Sequence, residues 1–425
     1  MNKVYEFLKT MLSFSISGGL HIFKAFSIER NKILLYPFNG HYYCNLKYID
    51  EKIREEHLPI ICVWETNSVK DRSYPAGVKV VKKNSFAMFY HFYTASVIIF
   101  NSGLPSWLYK RHGQTFIETW HGGGAYKKND TVFKSMKNKW KLARAEKAWQ
   151  RVDYIVSSCA KFTRIFKDDT GTKAAFLPIG MPRNDIFFDE ARMQKAGSLV
   201  RNTYQIQPDF GIVLYAPTFR DNGMVVDLEV NELLCSLQLR FKKPFVLFVR
   251  SHPHLAKDIF SKANRDDRVI DVSGYVDMQE LLAASDVLIT DYSSSIWDFS
   301  FTGRPCFIYA NDLSNYKKER NFHTPIDEWP FPLAERNEEL KNNILNFDQH
   351  DYGCKVRQHH EELGSYENGN ASLEMCNVIM RLINKGKLEN NYRGGYNLLI
   401  FSFALGRERK QTISRGVTFR MECAA

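Results

Sequence analysis

Ser285-Asp-Val-Leu-Ile-Thr-Asp-Tyr-Ser-Ser-Ser-Ile-Trp-Asp-Phe299 is the stretch from which the fold is read. Val287, Leu288 and Ile289 form a short apolar run bounded by polar residues, the pattern of a buried strand. Asp291 to Ser295 leave that strand, and Ile296 to Phe301 have the character of a starting helix. Three serines at a strand-to-helix turn offer hydroxyls beside the unpaired N–H groups of the helix, a combination that holds phosphate. The same residues would also serve as an ordinary helix cap, because Ser and Asp are the preferred N-cap residues.

Working outward, short apolar runs alternate with amphipathic segments. Lys32–Tyr36, Pro59–Val63, Val78–Val81, Ser96–Phe100, Phe116–Thr119 and Tyr154–Ser157 read as strands, with helices between most of them, such as Tyr43–His57 and Ala160–Lys167. After a polar helical segment, Asp189–Asp209, the alternation restarts with Ile212–Tyr215, Phe245–Val249, Val269–Val272, Val287–Thr290 and Cys306–Tyr309. Strands alternating with helices predict parallel, doubly wound sheets. The expected organisation is an amphipathic N-terminal segment, 1–30, then two α/β domains, 31–200 and 201–386, facing each other across a cleft. Ligands are expected at the carboxyl ends of the strands. Helices are expected over Glu338–Asn346 and Ser372–Ile383, and the tail, 387–425, is assigned no role.

The 425 residues are 44% hydrophobic and 14% aromatic, which allows a sizeable core and excludes a disordered or fibrous chain. A net charge of +11 favours an anionic partner: nucleic acid, an acidic membrane surface or a phosphate-bearing substrate. The eight cysteines show no Cys-x-x-Cys spacing and read as buried free thiols of a reducing compartment. The N-terminus lacks the apolar region and cleavage site of a signal peptide, and no stretch reaches 18 uninterrupted apolar residues. A cytoplasmic protein, touching a membrane surface at most, is expected.

Every sharp polar motif follows a predicted strand. In Glu118-Thr-Trp-His-Gly-Gly-Gly124 the glycines, Gly122 and Gly123 among them, let the backbone approach a ligand closely, and His121 titrates in a range suited to proton transfer. A flexible turn with a capping histidine is the alternative. Tyr215-Ala-Pro-Thr-Phe-Arg-Asp221 supplies Thr218, Arg220 and Asp221, of which Arg220 can grip a phosphate bidentately or simply pair with Asp221. Val249-Arg-Ser-His-Pro-His254 carries Arg250 and His252; its H-x-H pair lacks a third ligand, so no metal is expected. Asp291, Ser293, Ser294 and Ser295 complete the set, while His359-His360 is expected on a solvated helix face. From Lys127 to Arg151 nine Lys or Arg face two acids, Asp130 and Glu146, a net of +7. Phe133, Met136, Trp140 and Ala143 share one face of this predicted helix, and Lys134, Lys137, Lys141 and Arg144 stand among its charges. Such a helix is a membrane-surface or polyanion binder, or else a merely solvated face.

In this order, Thr119-Trp-His-Gly122, Gly180-Met-Pro-Arg-Asn-Asp185, Leu214–Asp221, Val272-Ser-Gly-Tyr-Val-Asp277, Leu288–Ser294, Asp298-Phe299, Arg304-Pro305 and Asn368-Gly-Asn-Ala-Ser372 resemble the CDP-glycerol glycerophosphotransferase family of teichoic-acid and capsule polymerases. The resemblance covers roughly 95–385. It implies a glycosyltransferase-B-like fold, with the CDP donor held by 201–386 and the acceptor and membrane side in 31–200. It implies peripheral attachment to the inner face of a bacterial plasma membrane, a CDP-alditol donor, a lipid-linked or polymeric glycan acceptor, and no cofactor. His121 matches the family's candidate general base, and His252 a histidine near the pyrophosphate. Arg220, Asp221, Ser293 and Ser294 match its donor-side motifs. On this reading an acceptor hydroxyl attacks the phosphorus bearing the alditol, His121 takes the proton, and CMP leaves. Gly123-Gly124 departs from the Thr-Pro of many members, and the missing N-terminal extension of some polymerases leaves single addition as open as polymerisation. A nucleotide-sugar transferase of the same fold and a non-catalytic membrane or polyanion binder are the alternatives; no motif of a nucleic-acid module is present.

Overall fold

The computed structural model describes residues 18–128, 146, 148–218, 227–250, 266–319 and 322–386. The predicted N-terminal helix is described only from residue 18, where Leu20–Ala25 forms a 3-10 turn that buries Leu20 and Phe23. Of the predicted basic helix, 129–145 and 147 lie outside the described residues, as does the whole tail from 387.

Two sheets carry the fold. The first holds β1 (Glu29–Tyr36), β2 (Ile61–Thr66), β3 (Lys79–Lys82), β4 (Ala95–Phe100), β5 (Thr115–Glu118), β6 (Tyr154–Val156) and β7 (Ala175–Leu177). The second holds β8 (Gly211–Tyr215), β9 (Phe245–Val249), β10 (Val269–Asp271), β11 (Val287–Thr290), β12 (Cys306–Tyr309) and β13 (Leu333–Ala334). Their spatial orders are β3-β2-β1-β4-β5-β6-β7 and β10-β9-β8-β11-β12-β13, and the pairings are parallel throughout. In each sheet the order reverses beside its first strand, between β1 and β4 and between β8 and β11. Those are the switch points at which doubly wound folds bind ligands.

The strands are apolar because both faces are covered. All four residues of β11, and all four of β12, are buried. The edge strands β7 and β13, three and two residues long, were not among the strands expected from the sequence.

Helix ends follow local chemistry. Asp189, Asp277 and Asp348 each accept a backbone N–H at the start of Glu190–Thr203, Met278–Ala284 and Gln349–Leu363, and Gly364, at φ 65°, ends the last of these. The helix Ala371–Lys385 follows the second sheet in sequence yet packs on the first. Its Met375, Val378 and Ile379 join Ile33, Leu35, Val97 and Ile99 in one apolar cluster. Asp185 caps it from a distance, taking the N–H groups of Ala371 and Ser372 at 3.0 and 2.7 Å.

Two expectations are overturned. His359-His360 is not a solvated face. His359 is 4% exposed and hydrogen-bonds the Tyr126 hydroxyl at 3.1 Å, and His360 bonds the Ser300 hydroxyl at 2.7 Å and stacks on Phe301. Burial pushes both imidazoles down to about 4, so they are neutral packing residues. The thiols are not uniformly buried either: Cys44, Cys159, Cys306 and Cys376 are, but Cys235 is exposed on the helix Val230–Phe241.

Candidate active site

Glu118 ends β5 as a fully buried carboxyl, its oxygens accepting the N–H groups of Trp120 (2.9 Å) and Gly103 (2.7 Å). Burial raises it to about 8 against the opposing pull of those two bonds. Trp120 then takes φ +56°, a left-handed conformation that costs a bulky residue roughly 1–2 kcal/mol and persists only where neighbours enforce it. The neighbour here is Asn45, also fully buried, whose amide donates to the carbonyls of Thr119 (3.2 Å) and Trp120 (3.0 Å). The kink presents the next residue, His121, to the cavity.

His121 Nδ1 lies 2.8 Å from the carbonyl oxygen of Asn101, just beyond β4. A carbonyl only accepts, so Nδ1 carries the proton and the Nε2 lone pair is free. The Phe38 ring lies parallel to it within 10°, centroids 6.5 Å apart, with the Phe38 N–H fixed by the Asn101 side chain at 2.9 Å. The histidine surface is open to solvent, yet protein crowds its other sides. That desolvation is the leading cause that holds its pKa below the usual histidine value. The charges of Arg183 and Lys127 add to the lowering, and the Asn101 carbonyl opposes it. The imidazole is therefore a neutral acceptor of protons at physiological pH.

The glycines that follow have a packing reason. A Cβ on Gly123 would sit 2.0 Å from Trp297, and one on Gly122 3.0 Å from the Ser294 hydroxyl; Gly124 has φ +68°. Only glycine lets this loop press onto the helix Ser295–Ser300 of the second sheet. The result is an open cavity of about 130 Å³ whose lining includes His121, Gly122, Phe162, Ile165 and Ser294. The first and fourth sequence motifs thus meet in one place.

The other residues expected on the donor side divide. Asp291 is fully buried, and its carboxylate accepts the Thr218 N–H (2.9 and 3.0 Å) and hydroxyl (2.7 Å). It braces the loop after β8 against the end of β11; a carboxylate so engaged would repel phosphate, not hold it. Ser295, buried, donates its hydroxyl to Ser293 Oγ at 3.0 Å. Ser294 opens the helix without a side-chain capping bond and lines the cavity, while the neighbouring Ser293 Oγ accepts the Ser295 N–H at 3.3 Å in the manner of a cap. Arg250 follows β9, its guanidinium donating to the carbonyls of Tyr275 (2.7 Å) and Val276 (3.4 Å). Among the described residues no carboxylate lies within ion-pair distance of it. Arg220, Asp221 and His252 lie outside the described residues, as do Lys134, Lys137, Trp140, Lys141 and Arg144.

Sequence reasoning gave no role to the residues that join the two halves of this site. Arg183 is 4% exposed, donating Nη1 to the His121 carbonyl (2.6 Å) and Nη2 to Asp298 (2.8 Å to Oδ2). Glu367 accepts from Trp297 Nε1 (3.0 Å), the Met181 N–H (2.9 Å) and Asn184 (3.1 Å), and burial raises its carboxyl to about 8. Lys47 reaches from the helix Cys44–Glu55 to Asp277 (2.7 Å) and Glu280 (2.5 Å) beside the second sheet. The segments holding Arg183 and Asp298 were part of the resemblance, and that was the one signal that could have found them.

Two facing parallel sheets, with a proton-accepting histidine on one side of a cavity and a serine turn on the other, define a glycosyltransferase-B-like protein. The chain belongs to the CDP-glycerol:poly(glycerophosphate) glycerophosphotransferase family, whose model matches residues 20–381. It is 28% identical over 378 residues to the teichoic acid poly(glycerol phosphate) polymerase of Staphylococcus epidermidis, covering 84% of this chain and 51% of that one. It is 31% identical over 307 residues to the teichoic acid glycerol-phosphate primase of Bacillus subtilis, covering 69% of this chain and 77% of that one. The chain thus spans about half the length of the first of these relatives. The solved wall teichoic acid polymerase TagF superposes with a TM-score of 0.76 at 26% identity, covering 91% of this chain and 100% of that one. A TagF variant has also been soaked with CDPG.

Proposed function

We propose that the protein transfers glycerol phosphate from CDP-glycerol to a hydroxyl of a teichoic-acid primer or polymer, releasing CMP. The observation that carries this reading is the pairing, in one cavity, of His121 with a free Nε2 and Ser294 with an unused hydroxyl. The acceptor hydroxyl gives its proton to His121 Nε2 as its oxygen attacks the phosphorus bearing the glycerol. The phosphorus–oxygen bond to CMP breaks, and charge on the transferring group is met by hydroxyls and cations around the serine turn. Phosphoryl transfer asks for little beyond positioning and charge stabilisation. Arg250, aimed by two neutral carbonyls, is a suitable cation on the donor side, and Arg220, His252 and Ser293 are proposed with it. Membership of a family named for CDP-glycerol chemistry and a TagF variant soaked with CDPG support the choice of donor.

Attachment at the cytoplasmic face of the membrane is part of the proposal. Its support among the described residues is an exposed apolar group, Ile22, Phe26 and Phe86, with Lys24 in the same turn. A division into two domains near residue 200, with Ala371–Lys385 returning to the first, is proposed on the packing of that helix. The test is a donor screen with membranes or a lipid-linked acceptor present. CMP release from CDP-glycerol, absent with CDP-ribitol and with UDP-sugars, supports the reading. Release of UDP or UMP from a nucleotide sugar would replace it.

A further inference from the structure

We infer that the buried Arg183–Asp298 pair is a positioning device, tying the turn that carries His121 to the serine turn of the opposite sheet so that base and donor-holding hydroxyl keep a fixed separation. The inference rests on the transferase reading of His121 and Ser294. Arg183 lies in the turn Pro182–Phe188, which belongs to neither sheet. Its backbone N–H donates to Asn45 Oδ1 at 3.1 Å, and Asn45 is the residue whose amide holds the strained Trp120. Its Nη1 donates to the His121 carbonyl at 2.6 Å, on the same residue as the ring. Its Nη2 binds both oxygens of Asp298, at 2.8 and 3.1 Å, in the helix Ser295–Ser300. Gln279 donates to the same carboxylate at 3.0 Å.

Two features argue for geometry over plain cohesion. The guanidinium is a rigid planar fork, so anchoring one tine on Asp298 sets where the other can hold the His121 carbonyl; Glu367, which links Trp297 to Met181 and Asn184, does not reach the His121 peptide. A buried ion pair is also a poor way to gain stability, since apolar residues of similar volume do as well or better. Here the fold keeps the pair even though Arg183 Nε is left buried without a partner. The pair therefore spans from the last turn before the cavity on one side to the helix directly behind Ser294 on the other.

The test compares wild type with Arg183→Gln/Asp298→Asn, which removes both charges together, and with Arg183→Lys, which keeps the charge but loses the fork. Nitrogen NMR of the His121 ring, recorded with no donor or acceptor, reads tautomer and pKa whether or not the transferase reading holds. Wild type shows the Nδ1-protonated form. In the double variant the tautomers mix and the pKa rises, because the cation of Arg183 is gone while Lys127 remains. With substrates, kcat falls about 10–100-fold, the scale of a misplaced group, while donor Kd stays within about twofold. Arg183→Lys shows the tautomer mixing and most of the kcat loss without the full pKa change. A folded double variant with the wild-type tautomer, pKa and kcat overturns the inference, as does a parallel loss of kcat and donor affinity. If the double variant does not fold, Arg183→Lys decides by the same readouts. Absence of CMP release by wild type would sink the transferase reading instead, leaving the NMR arm to decide the positioning role.

Discussion

A histidine whose Nδ1 proton is held by a carbonyl has one chemistry left, at Nε2, and His121 is in that state. Because burial, Arg183 and Lys127 depress its pKa, the neutral form persists below the usual value of about 6.5. The transfer rate should therefore be flat through neutrality and fall only as pH drops through the depressed value; a kcat–pH profile with its acid limb above 6.5 would contradict this. On the other wall, removing the hydroxyls of Ser293 and Ser294 together by alanine should raise the donor Kd about 10-fold, as expected for one or two lost hydrogen bonds, with a smaller effect on kcat. Calorimetry with CDP-glycerol measures it, and an unchanged Kd would remove the serine turn from the donor site. At this scale the sequence showed which residues carry chemistry, since His121 and the serines stand in local motifs. It did not show that Asp291 turns inward to Thr218, or that Arg183 meets Asp298, because partners 73 and 115 residues apart are chosen by the fold.

Elements were legible where a single period ruled. The runs Val287–Thr290 and Cys306–Tyr309 are the strands β11 and β12 as read, because both of their faces are buried. The helix Gln349–Leu363 was anticipated only as a solvated face at His359-His360, because its buried line is Tyr352, Val356, His359 and Leu363, with a histidine in an apolar role and charges elsewhere. That choice has a consequence in acid. His359 and His360 bind protons near pH 6.5 when unfolded but only near 4 when folded, so stability is complete above about 6.5 and lost as pH falls toward 4. Each contributes a slope of up to about 1.4 kcal/mol per pH unit in that window. Urea melts from pH 7 to 5 should show the fall, and a His359→Gln/His360→Gln variant should show a shallower one. The loop after β5 is the other sensitive element: Gly123→Ala drives a Cβ into Trp297 and should cost about 1–3 kcal/mol in the same melts. An unchanged midpoint would mean that the loop can yield.

The whole molecule is two similar sheets tied together, and its repeat of one strand order was legible because the alternation of strand and helix restarts after Asp209. The return of Ala371–Lys385 to the first sheet was not, since nothing local distinguishes a helix that packs on its own sheet from one that crosses. One tie between the sheets is Lys47, buried against Asp277 and Glu280. Lys47→Met strands two carboxylates, and a loss of about 3–5 kcal/mol is expected by denaturant unfolding; a loss under 1 kcal/mol would show that water reaches the pair. What these ties serve, on the proposed reading, is a cavity with its base on one sheet and its donor-holding turn on the other. The measurement that tests this most directly is CMP release from CDP-glycerol by wild type and His121→Ala, with donor affinity measured on both. The account predicts that the variant loses about 10²–10⁴-fold in rate and keeps its affinity. A variant that turns over at the wild-type rate, or that no longer binds the donor, would contradict it.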